Sequence, residues 1–402
     1  MNLQPMHRQV LLLASAQALY VTASALVITV GGLAGGQIAT NPQLATAPIA
    51  ASFLGTALAT VPASLWMARA GRRPGFVAGA LLGTAGGVFA ALGIWMGSLL
   101  LLSFGTFLVG VYQAFAQFYR FAASEVASAD FRPRAISFVL AGGIVAAFLG
   151  PTLGTLGRQL LATDFVGSFL LLAAVSAIAA GLLLGLRVPP APSEDPGADG
   201  PSRPLLAIIR QPSYLAALFG AATGYGVMIL AMTATPIAMV HHHHPLGQAS
   251  LVIQLHILGM FLPSFFTGGL IARFGVISIM LTGVLLLLAH VLLTLTGTGF
   301  YSFASALILL GVGWNFLYVG GTTLLTTTYS VAEKGRAQAF NDMSIFVIGL
   351  AASLAAGALQ ETVGWQMLNL MLLPWLGLAA LALIWRAIGA GRGGAERPAL
   401  SR

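Results

Sequence analysis

Read for polarity alone, the chain is a succession of long apolar runs parted by short polar turns. At ~1.5 Å per helical residue, a run of ~20 residues crosses the ~30 Å hydrocarbon layer of a bilayer. Runs of that length recur throughout, each closed by Gly, Pro or charge. They fall at 9–33, 44–67, 75–96, 98–124, 135–157, 164–186, 212–240, 247–271, 275–297, 300–327, 337–360 and 365–388. The pattern predicts an all-α membrane protein with twelve transmembrane helices. The one long hydrophilic stretch, Val188 to Pro204, reads V-P-P-A-P-S-E-D-P-G-A-D-G-P-S-R-P, a composition that resists packing and predicts a flexible linker. It parts six runs from six. The expected organisation is an N-terminal six-helix half (1–187), a cytoplasmic linker (188–211), a C-terminal six-helix half (212–390) and a cytoplasmic tail (391–402). The halves echo each other: A-R-A-G at Ala68 to Gly71 follows the second run, and A-R-F-G at Ala272 to Gly275 follows the eighth, 204 positions later.

Composition sharpens this picture. Charged residues make up 7% of the chain, against ~25% in soluble domains. The absence of cysteine excludes a disulfide framework, a thiolate metal site and a thiol nucleophile. No H-E-x-x-H motif is present either, so no enzymatic centre is expected. The net charge of +8 does not point to nucleic acid, because the cations lie in short turns rather than on a basic domain. Sixteen of the eighteen Lys and Arg residues fall on one side of the twelve-run arrangement. That asymmetry predicts a bacterial-type inner membrane protein with both termini cytoplasmic and the turn at His241 to His244 outside. The first run is longer than a signal-peptide core, so no cleaved signal is expected.

Candidate chemistry sits at the middle of the second half. Met228 and Met232 stand four apart in the seventh run, and His256 and Met260 stand four apart in the eighth. Each pair shares a helix face. Folding the chain back at His244 brings the pairs to matching depth, roughly 18 to 24 Å from the turn at ~1.5 Å per residue. Thioether and imidazole together suit copper(I) or another soft ion. The run His241, His242, His243 and His244 lies above them, either as an ion-capturing loop or as an ordinary solvated turn. Asp342, a lone carboxylate inside the eleventh run, either carries a proton or pairs with Arg120 or Lys334. A second reading assigns the methionines to packing. On that reading Tyr20, Gln113, Gln117, Trp314, Asn315 and Tyr318 line a cavity for a small organic solute.

Two six-helix halves joined by a cytoplasmic linker are the architecture of the major facilitator superfamily, and particular residues resemble it. S-L-W-M-A-R-A-G-R-R, with Arg69, Gly71, Arg72 and Arg73, is similar to the superfamily's signature loop between spans two and three. G-G-L-I-A-R-F-G, with Gly268, Arg273 and Gly275, is similar to its second copy. These implied conformational loops both carry alanine, Ala68 and Ala272, where the family has an acidic residue. Gly150, Pro151 and Gly154 resemble the hinge motif of superfamily antiporters. M-x-x-x-M followed after 23 residues by H-x-x-x-M resembles the CcoA-type copper importers. That resemblance implies metal binding by Met228, Met232, His256 and Met260. It further implies copper import by alternating access for haem-copper oxidase assembly, with copper as cargo, a cytoplasmic copper acceptor as partner and no prosthetic group. The alternative is a facilitator or proton-coupled antiporter for a small organic solute or drug.

Overall fold

The computed structural model describes residues 5–128, 132–188, 203–330 and 333–395, and among these it is helical with no strand. Inside a bilayer an unpaired backbone group finds no water, so each apolar run satisfies its own hydrogen bonds as a helix. The first half comprises α1 (Pro5–Ile38), α2 (Ala47–Ala70), α3 (Arg72–Trp95), the pair α4 (Leu99–Ala116) and α5 (Tyr119–Val126), α6 (Arg132–Gly157) and α7 (Val166–Leu183). A short α8 (Leu205–Ile209) precedes the second half. That half comprises α9 (Pro212–His241), the pair α10 (Leu246–Phe261) and α11 (Ser264–Phe274), α12 (Val276–Thr294), α13 (Phe300–Leu325), α14 (Lys334–Thr362), and the pair α15 (Gly364–Leu370) and α16 (Leu373–Ala395). Among the described residues, ten helices are long and apolar enough to span a membrane. The α10–α11 pair, bent by 42°, makes an eleventh, and Ala141–Gly157 of α6 is a shorter apolar helix. Each of the twelve runs read from the sequence thus coincides with a helix or a broken pair.

The halves repeat one packing scheme. α1 lies on α6 as α9 lies on α14, α2 on α4 as α10 on α13, and α3 on α4 as α12 on α13. Lipid tails are as apolar as leucine, so helices in a bilayer associate through close contact of small residues. α3 shows this best: Gly75, Gly79, Gly83 and Gly87 recur every fourth residue. A Cβ at Gly79 would stand 2.7 Å from the Cβ of Phe115, and one at Gly87 would stand 2.7 Å from the backbone nitrogen of Ala173. The halves meet along α1 with α9, α2 with α14 and α6 with α10.

The echoing loops are alike in backbone as well as sequence. Gly71 and Gly275 each end one helix and cap the next, with φ of 92° and 83°, a region that glycine enters without a Cβ penalty. Arg72 pairs with Glu125 at the end of α5, at 2.8 and 3.3 Å in a two-pronged contact. Arg273 lies over the ring of its neighbour Phe274.

Most of the expected linker, 189–202, lies outside the described residues, as do tail residues 396–402. The linker's last part is not a free coil: it contains α8, and α16 continues helically through Ala395. Arg203 clamps the buried Glu333 through Nε to Oε1 at 2.8 Å and Nη2 to Oε2 at 2.7 Å, and its backbone N–H donates to Oε1 at 2.8 Å. These bonds favour the charged form, so the Arg203 guanidinium holds the Glu333 carboxyl well below the usual carboxylate range. A carboxyl depressed in the folded state stabilises fully above about pH 5 and loses that contribution as acidification approaches its folded value. Glu333→Gln is therefore expected to lower the melting temperature near neutral pH. In melts taken at successively lower pH, the gap to wild type should shrink.

Candidate functional site

Between the halves, at the level where α4 breaks into α5, lies a cavity of about 170 Å³. One wall is aromatic. Trp314 and Tyr318, four apart on α13 and so co-facial, stack with centroids 4.9 Å apart and planes 13° from parallel. Tyr225 stands 6.3 Å from Tyr318 and edge-on to Phe346 and Phe53, while Phe261 meets Trp314 edge-on at 6.3 Å. The opposing wall is polar: Gln17, Tyr20 and Ser24 follow one face of α1, and Gln113, Gln117 and Arg120 come from α4 and α5. Two buried donors here, Arg120 Nε and Trp314 Nε1, have no hydrogen-bond partner. Buried polar groups are nearly always paired, so a ring-walled cavity with unpaired N–H groups is suited to a flat solute carrying acceptor atoms.

The sequence-predicted residues divide at this cavity. Met228, Met232 and Met260 line it, whereas His256 does not. His256 is fully buried with Nδ1 2.8 Å from the carbonyl of Leu307 on α13. The four histidines of the turn between α9 and α10 form no common cluster among the described residues, although His242 and His244 both pack near the ring of Phe303. His241 faces a different cavity; His242 packs near Phe303; His243 adopts a left-handed φ of 62°. His244 has both ring nitrogens engaged, one with Gln248 Oε1 and one with the carbonyl of Thr298, each at 2.8 Å. Asp342 accepts from Asn341 Nδ2 at 3.0 Å. The ion pairs among the described residues are Arg72–Glu125, Arg158–Asp164 and Arg203–Glu333, and Asp342 is in none of them. The Lys334 side chain lies outside the described residues.

Tyr20, Gln113, Gln117, Trp314 and Tyr318 line the cavity as the organic-solute reading expects, but Asn315 points into the α10–α11 junction. Gly150 and Gly154 bring α6 against α1 beside the polar wall: a Cβ at Gly150 would stand 2.6 Å from the Cβ of Ala25. Sequence reading missed Phe53, Tyr225, Phe261 and Phe346. Their ring character was the available signal, but an aromatic residue in an apolar run looks the same whether it faces lipid or a cavity.

The sequence model of the Major Facilitator Superfamily matches residues 12–242 and 217–399. The chain belongs to this superfamily. It is 40% identical over 380 residues, 94% of its own length and 96% of the other, to the riboflavin transporter RfnT of Brucella anthropi. It is 30% identical to the uncharacterized MFS-type transporter YdeG of Bacillus subtilis, over 82% of this chain and 80% of that one. Among solved structures, the nucleoside transporter NupG superposes with a TM-score of 0.71 at 14% identity, covering 94% of this chain and 99% of that one. FucP in the outward conformation superposes with a TM-score of 0.61 at 16% identity, covering 94% and 98%. These two likenesses concern the fold. The chain is therefore a multi-pass membrane transporter and not an enzyme.

The copper expectation is corrected by the same comparison. A superfamily relative at 40% identity across almost the whole chain is a riboflavin transporter, and nothing supports copper as cargo or a copper acceptor as partner. The physical reason for the misreading is that three of the four motif residues line a cavity walled by aromatic rings while His256 bonds to α13. Leucine conserves the approximate volume of methionine. Met228→Leu and Met232→Leu are accordingly expected to keep solute uptake within about threefold of wild type, and cells expressing the wild type should gain no radiocopper uptake over cells lacking it.

Proposed function

We propose that this superfamily member moves riboflavin, or a neutral heterocycle of the same flat shape, across a bacterial cytoplasmic membrane by alternating access. The observation that carries the reading is the stacked Trp314–Tyr318 pair in a cavity whose opposite wall is amide and guanidinium. A fused three-ring solute offers two apolar faces and a rim of carbonyls and ring nitrogens. The faces suit the rings of Trp314, Tyr318 and Tyr225. The rim suits Gln113, Gln117 and the unpaired N–H groups of Arg120 and Trp314. The relative that transports riboflavin supports the same solute class.

The cavity is smaller than the ~300–1,000 Å³ of sites that enclose drug-sized ligands, so the halves would part to admit the solute. Two bonds between the halves lie on the side of the His241–His244 turn. Thr46 Oγ1 donates to the carbonyl of Ser353 at 2.7 Å, and Gln254 Nε2 donates to Thr152 Oγ1 at 2.8 Å. On the other side Arg120 and Asp342, one on each half, would approach as that side closes, and the Arg72–Glu125 pair would brace the loop between α2 and α3. The distribution of positive charge supports placing the termini and this loop in the cytoplasm. Uptake of labelled riboflavin by cells that require external riboflavin tests the function. Expression of the chain should restore uptake and growth at low riboflavin, and a strain no better than its empty-vector control would refute the reading.

A further inference from the structure

A second cavity, of about 470 Å³, lies between the halves on the side of the His241–His244 turn. It is not an extension of the first, yet the same helices line both. Ile28 of α1 faces the central cavity and Gly32, one turn on, faces the second; on α9 Met232 faces the first and Ile237 the second. Gly32 and Ile237 meet at the second cavity, where a Cβ at Gly32 would stand 3.1 Å from Cδ1 of Ile237, and on α1 the residues lining the two chambers are about 6 Å apart along the helix axis.

The chemistry of the second chamber is that of an acceptor site. Gln360 lines it, is 5% exposed, and its Oε1 is buried with no hydrogen-bond partner. Glu361, the next residue and an exposed one, also lines it. The cation present, Arg158, is already neutralised by Asp164 at 2.9 Å and lies over the ring of Phe165. A buried unpaired acceptor is an unsatisfied group that a donor-bearing ligand relieves. A wall with a neutralised cation and a free carboxylate repels anions.

We propose that this vestibule is a second binding site for the transported solute, one that accepts hydrogen bonds from the solute's hydroxyl chain at Gln360 and Glu361 before the rings pass to the central cavity. The identity of the solute rests on the riboflavin-like reading above. In that reading the flat rings belong to the aromatic cavity and the polyhydroxyl chain, a row of donors, belongs to the vestibule. The vestibule also discriminates: it takes the neutral solute and turns away its phosphate ester, whose dianion meets Glu361.

The test is uptake of labelled riboflavin into cells expressing the full chain, with riboflavin 5′-phosphate as competitor. Gln360→Met, close in volume but without the acceptor, is expected to raise KM about fivefold at unchanged Vmax, the loss of one hydrogen bond. Glu361→Gln is expected to make the phosphate ester at least threefold more potent as an inhibitor, a change that a merely structural role would not produce. A melting scan of each purified variant checks folding. Wild-type KM in Gln360→Met and wild-type inhibition in Glu361→Gln, alongside impaired uptake in Tyr318→Leu, would overturn the vestibule and leave the central cavity standing. No riboflavin uptake by the wild type at all would overturn the central reading, and with it the solute assigned to the vestibule.

Discussion

Replacing Tyr318 by leucine is expected to weaken riboflavin binding about 10- to 100-fold. Removal of an aromatic platform beneath a stacked base is worth ~1–3 kcal/mol, and each 1.4 kcal/mol is tenfold in affinity. Tyr318 holds a central place on the aromatic wall, stacked on Trp314 and adjacent to Tyr225. Leucine fills most of its volume but presents no π face and leaves Trp314 without its partner. Tyr318→Phe keeps the face and should stay within a few-fold of wild type. The measurement is quenching of flavin fluorescence on titration with purified protein. If leucine and phenylalanine variants bind alike, the rings merely pack the cavity and do not hold the solute.

Asn315→Leu is expected to destabilise the protein by about 1–3 kcal/mol and to lower its melting temperature by several degrees. Pro263 has no N–H, so it cannot continue the helical ladder, and the span breaks there into α10 and α11 with a 42° bend. Asn315 closes the break from α13. Its Nδ2 donates to the carbonyl of Met260 at 2.8 Å and to Ser264 Oγ at 2.7 Å, and its Oδ1 accepts from Thr267 Oγ1 at 2.6 Å. Leucine would strand these groups in a low-dielectric interior. Because Trp314 and Met260 both line the cavity, solute affinity should fall along with stability. A thermal scan in detergent that shows wild-type melting for Asn315→Leu would mean the bend is held by packing alone.

The fold was legible because the bilayer imposes it. A span needs a long apolar run, and a turn needs a break in that run, so hydropathy places the twelve spans within a few residues, whereas α8 in the expected linker and the breaks that split three spans into helix pairs left no such mark. The polar half of the site was legible for a related reason. Gln113, Gln117 and Arg120 stand out because a polar group in a membrane is rare and has a use. The aromatic half was not, since Phe53, Tyr225 and Phe346 are as apolar as the lipid-facing residues around them.

His256 marks where spacing arguments fail. Residues four apart on a helix differ by about 40° in direction, enough for Met260 to face the cavity while His256 faces the carbonyl of Leu307. Spacing gives two residues a common face but does not fix how the helix is rotated in the bundle. Methionine adds its own ambiguity: the same thioether that ligates a soft metal also fills and lines adaptable binding surfaces. The motif therefore reads equally as a metal site and as the flank of an organic cavity. The glutamate partner of Arg72 was invisible for another reason, since it comes from α5, 53 residues downstream.

Solute counterflow tests the central claim most directly. Purified protein in liposomes loaded with unlabelled riboflavin should draw in labelled riboflavin transiently above its outside concentration, and the Tyr318→Leu variant should do so only at much higher concentration. Wild-type protein that melts cooperatively yet shows no accumulation of label over protein-free liposomes would contradict the assignment of a flat aromatic solute to the cavity between the halves.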